Sequence, residues 1–164
     1  IIRSHHRYGP SSGVKILQSE GRIVDGSELP EIAPLYLASD VLLCDYSSTM
    51  FDFANLGRPI VIYGGDWSEY RRLRGTYFDL MKEPPGAVAS TMDELREVFV
   101  SRAYESDASN QLLKLFQARF CEFDDGRASE RVVRRVFLGE ETERPERLHD
   151  MPTPLLTWNV DRPG

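Results

Sequence analysis

Short apolar runs that alternate with helical stretches predict an α/β protein, a parallel sheet covered by helices on both faces. Three observations carry this. Val41-Leu42-Leu43-Cys44 stops at Asp45, crosses two serines and turns into a helical pattern. Gly57-Arg58-Pro59 closes that pattern and launches a second apolar run, Ile60-Val61-Ile62-Tyr63, which Gly64-Gly65 cuts off. A third short run, Ala87-Val88-Ala89, is followed by Thr91-Met92-Asp93-Glu94, the side-chain pattern that opens a helix.

In chain order, Ile1 to Arg3 is the end of a strand, and a turn-rich loop with His5, His6 and Arg7 follows it. Ile23-Val24 is a candidate short strand. Pro30 and Pro34 bracket the entry to a short helix over 35–38. The central strand is expected at 41–44 and its helix at 47–56, with Gly57 as the stop. A strand at 60–63 comes next, then one or two helical turns within 66–72 and a small strand at 87–89. The helix opened by Thr91 carries Leu95, Val98 and Phe99 on one face. Another helix spans about 110–120 and breaks at Asp124-Asp125-Gly126. The last one places Val132, Val133, Val136 and Phe137 on one stripe and turns Arg131, Arg134 and Arg135 outward. Two units result: a domain over 1–138, and a proline- and charge-rich tail over 139–164 with no period, expected to be disordered or loosely docked.

The 164 residues suffice for one domain with its own core. With 41% hydrophobic and 28% charged residues, the composition is that of an ordinary globular chain. A net charge of −6 implies no general nucleic-acid surface. Cys44 and Cys121 lack metal-ligand spacing and read as two buried thiols. No signal peptide is expected from these residues, and they hold no apolar run long enough to cross a bilayer. It opens on strand-like Ile1-Ile2-Arg3 without Met, as expected of a piece of a longer protein.

The chemistry centres on Asp45-Tyr46-Ser47-Ser48-Thr49. Where a strand empties into a helix N-terminus, the first N–H groups lack intrahelical partners and carry the positive end of the dipole. Hydroxyls there add donors without bulk, and the product is a seat for a phosphate. Ser47 and Ser48 would bind phosphate oxygens; the plainer reading is N-capping. Asp45 would repel an anion and reads as structural. Arg3 and His5 sit just past a strand end, the edge where open α/β sheets bind ligands. An arginine fork can clamp a phosphate there and a protonated histidine can balance leaving-group charge. After the Asp124-Asp125-Gly126-Arg127 loop, Ser129 could donate to a phosphate or a ribose and Glu130 could accept from both ribose hydroxyls; the plainer reading is a capped surface helix. Residues 66–79 are dense in aromatic and charged groups and could line a cleft or form a surface connection with two buried tyrosines. There is no P-loop, nucleophile elbow, dinucleotide fingerprint, zinc set or calcium loop.

The order of these segments resembles one family. Arg3-Ser4-His5, then residues 35–41, Asp45 to Phe53, Gly57-Arg58-Pro59-Ile60, Tyr70 to Arg74, Gly75-Thr76-Tyr77-Phe78-Asp79 and the stretch from Phe120 to Arg131 match the CDP-glycerol glycerophosphotransferases of bacterial wall and capsule polymer synthesis. The resemblance implies a Rossmann-like domain, the C-terminal half of a two-lobed GT-B glycosyltransferase without its first strand. In that half, Arg3 and His5 would lie at the donor diphosphate, Ser47, Ser48 and Thr49 at its phosphate-binding helix start, and Arg127, Ser129 and Glu130 on the nucleotide side. Where many relatives carry histidine or lysine, Arg127 keeps the charge but gives up proton exchange near neutral pH.

The implied reaction transfers glycerol phosphate, or ribitol phosphate, from a CDP-alcohol to a hydroxyl of a lipid-linked polymer and releases CMP. The general base would belong to the N-terminal lobe, so this chain alone is expected to be inactive. No cofactor or metal is implied, and the place of action would be peripheral, at the cytoplasmic face of the bacterial membrane. The alternative is a GT-B lobe that binds a UDP- or GDP-sugar. A non-catalytic receiver-like module would instead need an acidic Mg²⁺ pocket where this chain offers serines and basic residues.

Overall fold

The computed structural model of the chain describes residues 1–4 and 20–141. Its elements, numbered among those residues, are α1 (Ala33–Ala38), β1 (Leu42–Cys44), α2 (Thr49–Ala54), β2 (Ile60–Tyr63), α3 (Trp67–Arg74), β3 (Ala87–Ala89), α4 (Met92–Val100), a 3₁₀ turn (Ala103–Glu105), α5 (Asp107–Phe120), and α6 (Ala128–Val132) running into a wider π-type turn (Val133–Phe137). The three strands form a parallel sheet in the order β1-β2-β3, with Leu42 beside Ile60 and Val61 beside Ala87. Ile2 adds an isolated parallel bridge to Asp25.

Both sheet faces are covered, and the period-2 alternation of β2 shows it. Ile60 and Ile62 point into a core with Met50, Phe53 and Ala54 of α2, Leu80, and Leu113 and Phe116 of α5. Val61 points the other way, against Ala89 and against Leu95 of α4. All of β2 except Tyr63 is fully buried, which is why the strand is apolar throughout. Burying a side chain such as Phe53 contributes roughly 2–3 kcal/mol. Phe51, Phe78, Phe116 and Phe120 form an aromatic cluster that joins α2 to α5, with ring centroids as close as 4.6 Å. Gln117 seals it by donating from Nε2 to the Ala54 carbonyl at 2.6 Å.

Arg58 explains the Gly57-Arg58-Pro59 segment. Its Nη1 donates to the carbonyls of Leu37 at 2.9 Å, Ser39 at 2.7 Å and Tyr36 at 3.4 Å. Those carbonyls belong to the end of α1, where intrahelical partners run out. Gly57 itself stands at φ 65°, the left-handed conformation that ends a helix.

Several expectations change. β1 is an edge of the three described strands, not the centre; β2 holds that place because it alone is buried on both sides. α2 runs over six residues rather than 47–56, since Ser47 and Ser48 form a turn and Leu56 and Gly57 close with tight i→i−3 bonds. Ile23-Val24 forms no strand; the pairing falls on Asp25. α3 extends to Arg74, and α5 begins at Asp107, where Ser106 accepts the Ser109 amide at 3.2 Å. The cysteines are half-buried rather than fully so. Tyr77 is exposed and Tyr70 only half-buried.

The stripe of Val132, Val133, Val136 and Phe137 is exposed, Phe137 to 77%. Arg131 does not turn out: it folds back onto both Asp125 carboxylate oxygens, at 2.8 and 2.7 Å, and onto the Phe123 carbonyl at 2.6 Å. Of the predicted tail, residues 142–164 lie outside the described part. At its start, Glu140 pairs with Arg134 at 2.9 Å.

Candidate functional site

The turn between β1 and α2 stands at the C-terminal edge of the sheet. Ser47 Oγ accepts the Thr49 amide at 3.3 Å and the Thr49 hydroxyl at 3.1 Å, so Ser47 and Thr49 are committed to the turn. Ser48 occupies the N-cap position of α2 but makes no side-chain cap hydrogen bond, and its side chain is exposed. A serine at an N-cap ordinarily bonds the second or third amide of its helix. Among the described residues no hydrogen bond engages the Ser48 hydroxyl, which stands beside a helix start of positive potential.

Asp45, just before the serines, is exposed, and Asp52 sits in the first turn of α2. Beneath it, burial pushes the Cys44 thiol up to about 12, with the Asp45 charge adding to the effect and a bond to Thr49 opposing it. Cys44 is therefore a neutral packing group at every physiological pH.

Arg3 is engaged with backbone ahead of α1. Its Nη1 donates to the Leu29 carbonyl at 2.8 Å and the Gly26 carbonyl at 3.3 Å, which ties the first residues to the 26–29 turn. Its charge reaches Tyr36 of α1. Burial raises the Tyr36 phenol, Asp52 and Cys44 push it further, and Arg3 eases it back. The Tyr36 hydroxyl is buried and has no hydrogen-bond partner among the described residues. Tyr36 packs edge-on against Phe53 at 5.7 Å, so α1 is the physical link between Arg3 and α2.

Arg127, Ser129 and Glu130 stand on the opening of α6 and are exposed. The Arg127 amide donates to Asp125 at 2.9 Å, and Glu130 accepts from Arg134 Nε at 2.9 Å. The loop before them meets α2 through Asn55 Nδ2, which donates to Asp124 at 3.1 Å, and through the Cys121 thiol on the Phe51 carbonyl at 3.6 Å. The contact is thus along the body and C-terminal end of α2. Among the described residues, no hydrogen bond joins Arg127, Ser129 or Glu130 to Arg3, Ser47, Ser48 or Thr49. His5, the proposed leaving-group partner, lies outside the described residues, as do His6 and Arg7.

The other neighbour of the serine turn comes from beyond β2. Tyr46 donates its hydroxyl to Asp66 Oδ1 at 2.6 Å, and its ring stands 4.3 Å from Tyr70 and 5.3 Å from Trp67 of α3. Burial and that bond to a carboxylate hold the Tyr46 phenol well above the usual range, so it stays a donor. This contact spans 20 positions and was not anticipated from the residues, although both segments stood out separately.

A model of the CDP-glycerol:poly(glycerophosphate) glycerophosphotransferases matches residues 1–138. The chain belongs to that family. Among curated relatives it is 41% identical over 141 residues to the teichoic acid poly(glycerol phosphate) polymerase of Bacillus subtilis (strain 168), covering 85% of this chain and 19% of that protein. It is 35% identical over 124 residues to the teichoic acid glycerol-phosphate transferase of Staphylococcus aureus (strain NCTC 8325 / PS 47), covering 75% of this chain and 32% of the relative. The chain therefore spans a fifth to a third of the length of these glycerophosphotransferase relatives.

Solved structures agree. The wall teichoic acid polymerase TagF superposes with a TM-score of 0.59 at 30% identity over 70% of this chain and 28% of TagF. A histidine-to-asparagine TagF variant soaked with CDPG gives a TM-score of 0.62 at 28% identity over 78% of this chain and 32% of TagF. The parallel α/β sheet described above is thus a TagF-like fold within the glycerophosphotransferase family.

Proposed function

We propose that this chain is the donor-binding lobe of a CDP-alcohol phosphotransferase that extends a teichoic-acid-like or capsular polymer. In the reaction, an acceptor hydroxyl oxygen attacks the phosphorus that carries the glycerol or ribitol. A new P–O bond forms there, the P–O bond to the cytidylate breaks, and CMP leaves with the electron pair while a base takes the hydroxyl proton. The observation that carries the reading is Ser48, an exposed serine at a helix N-cap that caps nothing, at the sheet edge of a chain in this family.

Ser48, the amides around it and the helix dipole would hold a phosphate of the donor, with Ser47 and Thr49 shaping the turn. Arg3 and His5 would offset charge on the donor diphosphate and on the CMP that leaves, and Arg127, Ser129 and Glu130 would contact the nucleoside side. Hydrogen bonds to a charged group contribute about 1.5–3 kcal/mol each, so a few suffice for micromolar binding. Among the described residues no group of three or more His, Cys, Asp or Glu is placed to hold a metal ion. None of the described helices is long and apolar enough to cross a membrane. A lipid-linked acceptor would place the whole enzyme at the cytoplasmic membrane face as a peripheral protein, against a preceding lobe that supplies the base.

Calorimetric titration of the chain with CDP-glycerol tests the reading. CDP-glycerol is expected to bind, UDP- and GDP-sugars at least tenfold more weakly, and Ser48→Ala is expected to weaken CDP-glycerol about tenfold. Equal or better binding of a UDP- or GDP-sugar would replace this reading with that of a sugar-donor lobe.

A further inference from the structure

Asp66 stands at the N-cap of α3, where an aspartate ordinarily bonds the helix amides and stabilises the helix by about 1 kcal/mol. It makes no such bond. Its carboxylate is turned instead to the Tyr46 hydroxyl at 2.6 Å, a charge-assisted contact. The Tyr46 ring lies against two aromatic rings of α3, Tyr70 at 4.3 Å and Trp67 at 5.3 Å.

α3 is itself anchored from behind. Asp79 accepts the Trp67 indole N–H at 3.2 Å, Arg71 at 3.1 Å and the Met81 amide at 3.2 Å. Gly64, which precedes α3, leaves the space that Tyr46 and Met81 fill; a Cβ there would come within 2.8 Å of Met81 and 3.7 Å of the Tyr46 ring. Tyr46 is the residue immediately before Ser47 and Ser48. Its ring and hydroxyl are therefore the handle by which a fixed helix holds the turn between β1 and α2.

We propose that Tyr46 is a positioning residue: its bond to Asp66 and its ring packing against α3 lock the Ser47-Ser48 turn in the shape that receives the donor phosphate. This rests on the donor-binding reading above, and Tyr46 acts through the turn that follows it. A turn held in one conformation binds more tightly, because affinity falls with the fraction of molecules in the competent shape. The geometry also predicts how Asp66 can be replaced. Asparagine keeps an acceptor oxygen for the Tyr46 hydroxyl, and alanine does not.

The test measures CDP-glycerol affinity by calorimetry and amide exchange of Thr49 and Met50 by NMR, in the wild-type chain and in Tyr46→Phe, Asp66→Ala and Asp66→Asn. Phenylalanine keeps the ring contacts and removes only the hydroxyl. Tyr46→Phe and Asp66→Ala are each expected to weaken CDP-glycerol about fivefold and to speed Thr49 exchange by a similar factor. The double variant should be no worse than either single one, and Asp66→Asn should recover most of the loss. Thr91→Ala, which removes the cap of α4 on the far side of the sheet, serves as the control for stability alone and should leave affinity unchanged.

If Tyr46→Phe and Asp66→Ala bind within twofold of wild type with unchanged Thr49 exchange, the positioning role is overturned while donor binding stands. If Thr91→Ala weakens binding as much as they do, the effect is general destabilisation and the role is again overturned. Absence of CDP-glycerol binding to the wild-type chain would remove the donor reading, and this role with it.

Discussion

Ser48 and Asp66 both occupy helix N-caps and neither caps its helix. A residue type explains a cap only when its oxygen turns toward the helix, and at these two positions it turns elsewhere. Gly86 makes a different point at the same scale. A Cβ built there would lie 2.1 Å from the Ile60 carbonyl oxygen, inside the sheet, so glycine is required by space rather than by backbone angle. Gly86→Ala must push β3 away from β2 and is expected to destabilise the fold by about 2 kcal/mol or more, read from the urea midpoint. A midpoint shift worth under about 0.5 kcal/mol, the range of an indifferent surface change, would contradict that placement.

Among the elements, α4 follows its sequence pattern most closely. The Thr91 hydroxyl accepts the Glu94 amide at 3.2 Å, while Glu94 reaches back one residue further than the usual box, to the Ser90 amide at 2.7 Å. α6 is held by a less legible device, the Asp125–Arg131 pair that closes the loop over its first turn. Arg131 first, and then the Arg127 amide, hold the Asp125 carboxyl below its ordinary value of 3.8. A depressed folded-state value means that the contact stabilises above about 3.8 and is lost as pH falls through the lower, folded value. An NMR titration should therefore find Asp125 below 3.8, the Arg131→Ala variant should move it up toward that value, and residues 123–131 should loosen before the main acid transition. An Asp125 titration unmoved by Arg131→Ala would show that the pair does not form in solution.

At the scale of the molecule, the described part buries β2 on both sheet faces and exposes an apolar stripe, with Val136 at 68% and Phe137 at 77%. The chain spans 19% to 32% of the length of the two curated relatives compared above. On the proposed function, the acceptor and its base meet the donor only in the longer enzyme. The chain mixed with CDP-glycerol and a primed acceptor is accordingly expected to bind donor and release no CMP, measured by chromatography of the nucleotide products. CMP release above the background without protein would place a complete set of reacting groups inside these 164 residues.

The amino-acid sequence alone determined the α/β class, the strand at Ile60–Tyr63, the cap at Thr91 and the family, because each is written in neighbouring residues: an unbroken apolar run, a threonine three places before a glutamate, motifs in fixed order. Tertiary structure alone decided that β2 and not β1 is central, that Arg58 closes α1 and Arg131 closes its own loop, and that Tyr46 meets Asp66. Strand order depends on which run is buried on both sides, and a long polar side chain spends its hydrogen bonds on whatever unpaired carbonyl or carboxylate the fold brings within reach. Neither is set by local spacing, so neither can be read before the chain has folded.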